Sequence, residues 1–335
     1  FIQQIDKFNI FIAPTKDDMD ISNNNLDNNE LTLHQNLLES IIKLILFSVR
    51  VASYDNIRDL YLPFLPYLLR IDASKAVQRQ AEFAKSVKYC VLVLEWIAMP
   101  MSSKTFKNNE GDDDITYVIK MIKKASFAKD WSIRKQVAVY LKVFIARNAF
   151  ILEENHIRNI YKMCMRLITD TSVEVRNETK ISLLSLFLST NFLYQEKQRV
   201  KMIRRLKKMA DTPLPKKGFK KTKVENVDGT GNTGTNNEGN NTYNEAMNTR
   251  HGGILGLSAM IECFPYSIPD FLPEVLHYVA LKAFDPEPIR SHLRLVFRNF
   301  KTTHASKWDT VFSKLLTQDQ IQAIEDVEVA PSYFG

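Results

Sequence analysis

Apolar residues along this chain recur at steps of three and four positions, the spacing that places them on one face of an α-helix. The pattern is clear in residues 37–49, 137–145 and 181–188. No stretch alternates apolar and polar residues between turn glycines, which is the pattern of a strand. The sequence therefore predicts an all-α protein.

The predicted helices come in pairs, and the turn within a pair has a recurring sequence. An Asp is followed by an aliphatic residue and then by Arg, in residues 130–134, 170–176 and 285–290, with a weaker copy in 72–79. We expect the Asp to cap the second helix, the Arg to reach the Asp of a neighbouring turn, and the aliphatic residue to point into the core. Such pairs predict a HEAT/ARM-like helical-repeat solenoid of antiparallel helix pairs. An irregular helical bundle is the alternative.

Polar stretches interrupt the helical pattern at residues 13–29, 101–114 and 212–248, and their composition favours loops. They divide the chain into a polar N-terminal segment, HEAT-like repeats, a disordered insertion rich in Lys and then in Asn and Gly, a second helical block and a short tail. The predicted bounds are 1–30, 31–211, 212–249, 250–330 and 331–335. We expect this chain to be part of a longer protein in which further residues precede Phe1.

Composition argues against several classes of enzyme. The 335 residues include only 10 glycines, too few for the phosphate turns of a nucleotide-binding α/β fold. The GxGxxG at residues 229–234 has neither a buried strand before it nor an apolar helix after it. Three isolated cysteines, Cys90, Cys164 and Cys263, suggest core packing in a reducing compartment. We predict no enzyme activity, no metal, no required cofactor and no membrane span.

The positive charge is concentrated in one segment. Residues 197–223 contain twelve basic residues and one acid, so the net charge of +7 separates into +11 there and −4 elsewhere. The first half is predicted to be helical and the second half to be a loop; the candidate residues are Lys201, Arg204, Arg205, Lys207, Lys208, Lys216, Lys217, Lys220 and Lys221. A solvated surface, a nuclear import signal and a polyanion site all fit this segment. Phe219 is its one aromatic residue, so we predict no sequence-specific binding of nucleic acid.

Glycines cluster again at Gly252, Gly253 and Gly256, within a predicted helix. Glycine inside a helix costs about 1 kcal/mol relative to Ala. We expect a compensating close approach of two backbones at these positions.

From Arg250 onward the sequence resembles the C-terminal region of the single-chain HEAT-repeat proteasome activators. The basic stretch 207–217 resembles the same family. The matching segments are residues 250–257, 264–266, 269–276, 285–289, 299–304, 308 and 316–320.

This resemblance implies a non-catalytic, ATP-independent cap on the α-ring of the 20S proteasome, present in the nucleus and cytoplasm. Family members insert a C-terminus of a hydrophobic residue, Tyr and any residue between two α subunits. Here Tyr333 would take the hydrophobic place, Phe334 the Tyr place, and Gly335 would supply the carboxylate. The family also implies binding of inositol phosphates and, in animals, of acetylated histones. The alternative is a HEAT-repeat scaffold of the transport-receptor kind, with the basic segment serving import or polyanion binding.

Overall fold

The computed structural model describes residues 114–215 and 235–327, with the backbone alone for Asp114 and for 235–240. Across those two ranges the chain forms nine α-helices and no β-strand, so the predicted all-α class is confirmed. Contacts divide the chain into two compact units, with the boundary between Leu167 and Ile168.

The described part of the first unit contains three helices. They are α1 (Asp114–Ala125), α2 (Trp131–Asn148) and α3 (Glu154–Leu167), and each packs against the other two. Ile122, Leu141, Phe144 and Ile160 have no exposed surface and form the centre of this core.

The second unit is built around one long helix. Its helices are α4 (Val173–Ser189), α5 (Glu196–Ala210), α6 (Thr235–Glu262), α7 (Leu272–Ala280), α8 (Ile289–His304) and α9 (Gln318–Asp326). Helix α6 packs against α4, α5, α7 and α8, and short 3-10 and π turns join α8 to α9. The interior of α6 is almost completely buried from His251 to Ile261.

The start of α6 revises one predicted boundary. Residues 235–249, which the sequence assigns to the disordered insertion, belong to this helix. Asn and Gly have low intrinsic helix propensity, but a helix packed on its neighbours gains most of its stability from tertiary contacts. Met247 is buried, and Asn248 accepts a hydrogen bond from Arg176. The boundary between the two units likewise falls inside the predicted repeat region 31–211; the other bounds stay predictions.

Of the three described turns, Asp caps the following helix in one. Asp130 caps α2, where its carboxylate accepts from the Ser132 N–H at 2.9 Å. At α4 the cap is Ser172, whose own N–H donates to Asp170. Asp285 caps no helix and binds Arg250 instead. The aliphatic residues behave as predicted, since Ile133, Val175 and Ile289 are buried.

The arginines of two of these turns, Arg134 and Arg176, bond to backbone carbonyls of their own turn, whereas the sequence suggested a bond to the Asp of a neighbouring turn. Each occupies the fourth position of its helix, and its Nη1 donates to the carbonyl oxygen six residues earlier: Arg134 to Ala128 (2.8 Å) and Arg176 to Asp170 (2.5 Å). Arg199 does the same at the start of α5, donating to Leu193 at 2.8 Å. A guanidinium has five donors in a fixed fork, so it can satisfy carbonyls that the preceding turn leaves open.

Candidate functional site

Helix α5 carries the first half of the predicted basic segment. Met202, Leu206 and Ala210 are buried along one side of this helix. The opposite side exposes five cations, which recur at steps of three and four residues, apart from the adjacent pair Arg204 and Arg205: Lys197, Lys201, Arg204, Arg205 and Lys208. This set, hereafter the α5 basic face, extends about 16 Å along the helix, at about 1.5 Å per residue. None of the five forms an ion pair with another described residue.

Lys207 differs from the α5 basic face because it is engaged in packing. Its Nζ lies 2.5 Å from Oε1 of Glu274 and 5.0 Å from the ring centroid of Tyr278. The Tyr278 hydroxyl in turn donates to the Lys207 carbonyl at 3.0 Å. Lys207 therefore fastens α5 to α7, and it is a poor candidate for contact with an external anion.

A network of charges fixes the end of α5. The Asp211 carboxylate accepts from Lys282 at 2.6 Å. Arg250 binds Asp285 through two hydrogen bonds of 2.6 and 2.5 Å, and it also donates to the Thr212 carbonyl at 3.2 Å. The two hydrogen bonds that Arg250 donates to Asp285 raise the pKa of Arg250 despite its partial burial. Burial works against the ionised form of Asp211, but the hydrogen bond from Lys282 and the positive charges of Lys282 and Arg250 outweigh it and lower the pKa of Asp211.

The remaining predicted site residues lie outside the described ranges. These are Lys216, Lys217, Lys220 and Lys221 of the basic segment, and Tyr333, Phe334 and Gly335 of the tail. The GxGxxG segment and Cys90 also lie outside them. The structure thus brings together Lys201, Arg204, Arg205 and Lys208, and it separates Lys207 from them by its ion pair.

The glycines of α6 mark the predicted close approach of backbones. A Cβ atom at Gly252 would lie 2.5 Å from the Ile168 carbonyl oxygen. At Gly253 it would lie 2.4 Å from the Ala210 nitrogen and 2.6 Å from the Leu206 oxygen. Since real Cβ atoms do not approach backbone this closely, only glycine lets α6 pack here. The expectation of backbone contact is confirmed at Gly252 and Gly253, whereas Gly256 faces the Leu206 side chain.

Sequence reasoning missed a buried polar cluster between α4, α6 and α8. Arg176 donates from Nε to Nδ1 of His251 at 3.0 Å and from Nη1 to Asn248 at 2.8 Å. The rings of His251 and His292 lie edge to face, with centroids 6.2 Å apart. Burial, with the positive charges of Arg176 and Lys180 nearby, lowers the pKa of both histidines to about 3. These residues are distant in sequence, so no local pattern marks the cluster.

Catalytic or metal chemistry finds little support in the described ranges. There, no group of three or more His, Cys, Asp or Glu residues could hold a metal ion. Cys164 and Cys263 are buried free thiols, and burial raises the pKa of both, that of Cys164 to about 12. A thiol is a weak nucleophile unless it is ionised. No helix among the described residues is long and apolar enough to cross a membrane.

The class of protein follows from the packed helix pairs and their repeated turns, which are those of a HEAT-like helical-repeat protein. Residues 247–335 match a family model described as "Proteasome activator complex subunit 4-like, C-terminal". The resemblance predicted from the sequence is therefore confirmed, and it is to the C-terminal region of proteins of this kind.

Whole-protein comparisons extend the similarity upstream of this region. "Proteasome activator complex subunit 4" of Xenopus laevis is 24% identical over 312 residues, and its Homo sapiens counterpart is 25% identical over 312 residues. "Proteasome activator complex subunit 4B" of Danio rerio is 26% identical over the same length. Each alignment covers 92% of this chain and 15% of the relative, so the chain spans about 15% of the length of these proteins.

One solved structure, an engineered protein, aligns over 84% of this chain and 94% of its own. Its identity of 12% and TM-score of 0.33 are too low to establish a shared fold.

Proposed function

We propose that this chain is the C-terminal portion of a non-catalytic, ATP-independent activator that docks on the 20S proteasome α-ring and regulates substrate entry. The observation that carries the proposal is the match of residues 247–335 to the activator C-terminal region. The similarity of nearly the whole chain to proteins named as proteasome activator subunits supports it. An activator has no need of a catalytic centre, because hydrolysis takes place inside the core particle.

In this proposal the anchor is the C-terminal tail. Tyr333 supplies an apolar ring, Phe334 takes the place at which the family has Tyr, and the Gly335 carboxylate pairs with a Lys of the pocket. Phe334 keeps the ring area and lacks the hydroxyl, and one hydrogen bond contributes about 0.5–1.5 kcal/mol. Docking is thus retained while the push on the gate is weaker.

Co-purification of the complete protein with 20S particles tests this anchor. Deleting residues 333–335 should remove most of the binding, whereas the variant Phe334→Tyr should bind at least as well as the natural sequence. Fluorogenic peptide hydrolysis, measured on the same samples, reports gate opening separately. Unchanged binding and hydrolysis after the deletion would contradict the anchor. Transport or chromatin factors in the purified complex, without α subunits, would favour the scaffold alternative.

A second function is favoured by the α5 basic face, for which we propose binding of a compact polyanion such as an inositol phosphate. Five exposed cations on one helix face, with no paired acid among the described residues, attract such a ligand. The variant Lys201→Gln/Arg205→Gln/Lys208→Gln should weaken the binding of inositol hexakisphosphate at least tenfold. The variant Lys301→Gln/Lys307→Gln/Lys314→Gln, elsewhere on the second unit, is the control. If both variants bind inositol hexakisphosphate with equal affinity, the α5 basic face is not its binding site.

A further inference from the structure

Thr212 stands in a sequence context that occurs once in the chain. Of the twelve prolines, Pro213 is the one that follows a Ser or Thr. Proline disfavours the helical conformation of the residue before it and pushes that residue toward an extended shape. An extended Thr-Pro is the form in which proline-directed protein kinases accept a substrate. Pro215 continues the same restraint two residues later.

Thr212 lies just beyond the end of helix α5. Helix α5 ends at Ala210, and residues 212–215 belong to no helix or strand. Thr212 is half-buried, while Pro213 and Pro215 are exposed. Two hydrogen bonds hold the backbone of Thr212. Its N–H donates to the Met209 carbonyl at 3.1 Å, and its carbonyl accepts from the Arg250 side chain at 3.2 Å. Its hydroxyl bonds to no other described residue.

Arg250 and Lys282 lie near Thr212, and each is paired with a carboxylate with which a phosphate would compete. Arg250 already touches its carbonyl, and Lys282 binds the carboxylate of the adjacent Asp211. Lys208, the last cation of the α5 basic face, is four residues earlier. The Asp211 and Thr212 N–H groups donate back to the Lys207 and Met209 carbonyls, so these bonds hold Thr212 directly at the end of α5.

We propose that Thr212 is a phosphorylation site for a proline-directed Ser/Thr kinase. In the reaction, Oγ1 of Thr212 attacks the γ-phosphorus of ATP and the bond to the β-phosphate oxygen breaks. ADP leaves, and the hydroxyl proton passes to the catalytic carboxylate of the kinase. The product adds a charge of about −1.5 to −2 at neutral pH.

The added charge has two consequences at this position. The phosphate competes with Asp211 for Lys282 and with Asp285 for Arg250, the two pairs that fasten the end of α5. It also opposes the +5 of the α5 basic face, so phosphorylation lowers the affinity of that face for a polyanion several-fold. This second consequence depends on the proposed anion binding; the phosphorylation itself does not.

The test is phosphorylation of the folded chain by one cyclin-dependent and one mitogen-activated kinase, with ATP and analysis by intact mass and peptide sequencing. One phosphate on Thr212 is expected. Thr212→Ala should abolish it, and Pro213→Ala, which keeps the hydroxyl, should slow it at least tenfold. Thr310→Ala, an exposed Thr without a following Pro, is the control. Circular dichroism of each variant shows whether it remains folded.

Three results would overturn the proposal. One is phosphorylation of other residues and not of Thr212. Another is a rate of Thr212 phosphorylation that Pro213→Ala does not change. The third is a folded chain that resists both kinases while a synthetic peptide of residues 206–219 is phosphorylated, since the fold would then shield Thr212. Inositol hexakisphosphate titration of the phosphorylated chain is a separate measurement. Unchanged affinity would show that phosphorylation does not affect the α5 basic face. It would not contradict phosphorylation of Thr212.

Discussion

Arg176 joins helix α4 to helix α6 by donating from its Nε to Nδ1 of His251 across 3.0 Å. Arginine can only donate, so His251 must accept at Nδ1 and carry its proton on Nε2. The imidazole is therefore neutral in the native structure, in agreement with a pKa lowered to about 3 by burial and by the adjacent guanidinium. A second proton would sit on Nδ1, directly against the Arg176 donor.

The first prediction is that mild acid destabilises the second unit. The pKa values of His251 and His292 are near 3 in the folded chain and near 6.5 when unfolded, so the unfolded state binds more protons below pH 6.5. The two neutral histidines therefore contribute stability that is present above pH 6.5 and is lost as the pH falls toward 3. Between pH 7.5 and 5 we expect a loss of about 1 to 2 kcal/mol for each histidine.

Urea denaturation at several pH values measures this loss. The groups that face the pair are Arg176 and Lys180 on α4, with Glu262 of α6 paired to Lys180. The double variant His251→Gln/His292→Gln should lose most of the dependence on pH over this interval. His277→Gln, on neighbouring α7, is the matched control. An unchanged slope in the double variant would show that other groups cause the acid sensitivity.

The second prediction concerns the glycines of α6. Gly253→Ala should lower the free energy of unfolding by about 1 to 3 kcal/mol. The new Cβ would meet the backbone of Ala210 and Leu206, which cannot move aside. Gly256→Ala should cost less, since its Cβ meets the Leu206 side chain at 2.5 Å and a rotamer change relieves part of the contact. Thermal unfolding ranks the two variants. A more stable Gly253→Ala would disprove the close approach of α6 and α5.

These glycines show what the sequence can and cannot reveal about the fold. The helical class, the buried aliphatic residues of the turns and the close approach at Gly253 follow from local spacing and residue type. The start of α6 at Thr235 does not, because the polar sequence of residues 235–249 gives no local helix signal, and the bond of Asn248 with Arg176 joins residues distant in sequence. The pairing of Arg250 with Asp285 is hidden for the same reason, since 35 residues separate the partners. The positive charge of α5 follows from its sequence. The ion pair of Lys207 with Glu274 does not, because the two residues are far apart in the chain.

The third prediction contrasts two ion pairs of the α5 to α7 region. Both side chains of Arg250–Asp285 are mostly buried, with 16% and 13% exposed, whereas Glu274 of the Lys207 pair is 80% exposed. Asp285→Ala should therefore cost about 2 to 4 kcal/mol, because it strands a mostly buried guanidinium. Glu274→Ala should cost no more than about 1 kcal/mol.

Urea denaturation in low and high salt compares these variants. High salt should shrink the already small effect of Glu274→Ala and leave most of the effect of Asp285→Ala, since buried pairs are screened less. The double variant Arg250→Met/Asp285→Ala should be more stable than Asp285→Ala alone. Equal costs for the two single variants would mean that the Arg250–Asp285 pair contributes no more than a surface pair.

Imaging the complete protein mixed with 20S particles by negative-stain electron microscopy tests the central claim most directly. The proposed function predicts additional density over the α-ring at one or both ends of the cylinder, and its loss when residues 333–335 are deleted. Cylinders with bare ends at saturating concentrations of the folded natural protein would contradict the assignment as a proteasome activator.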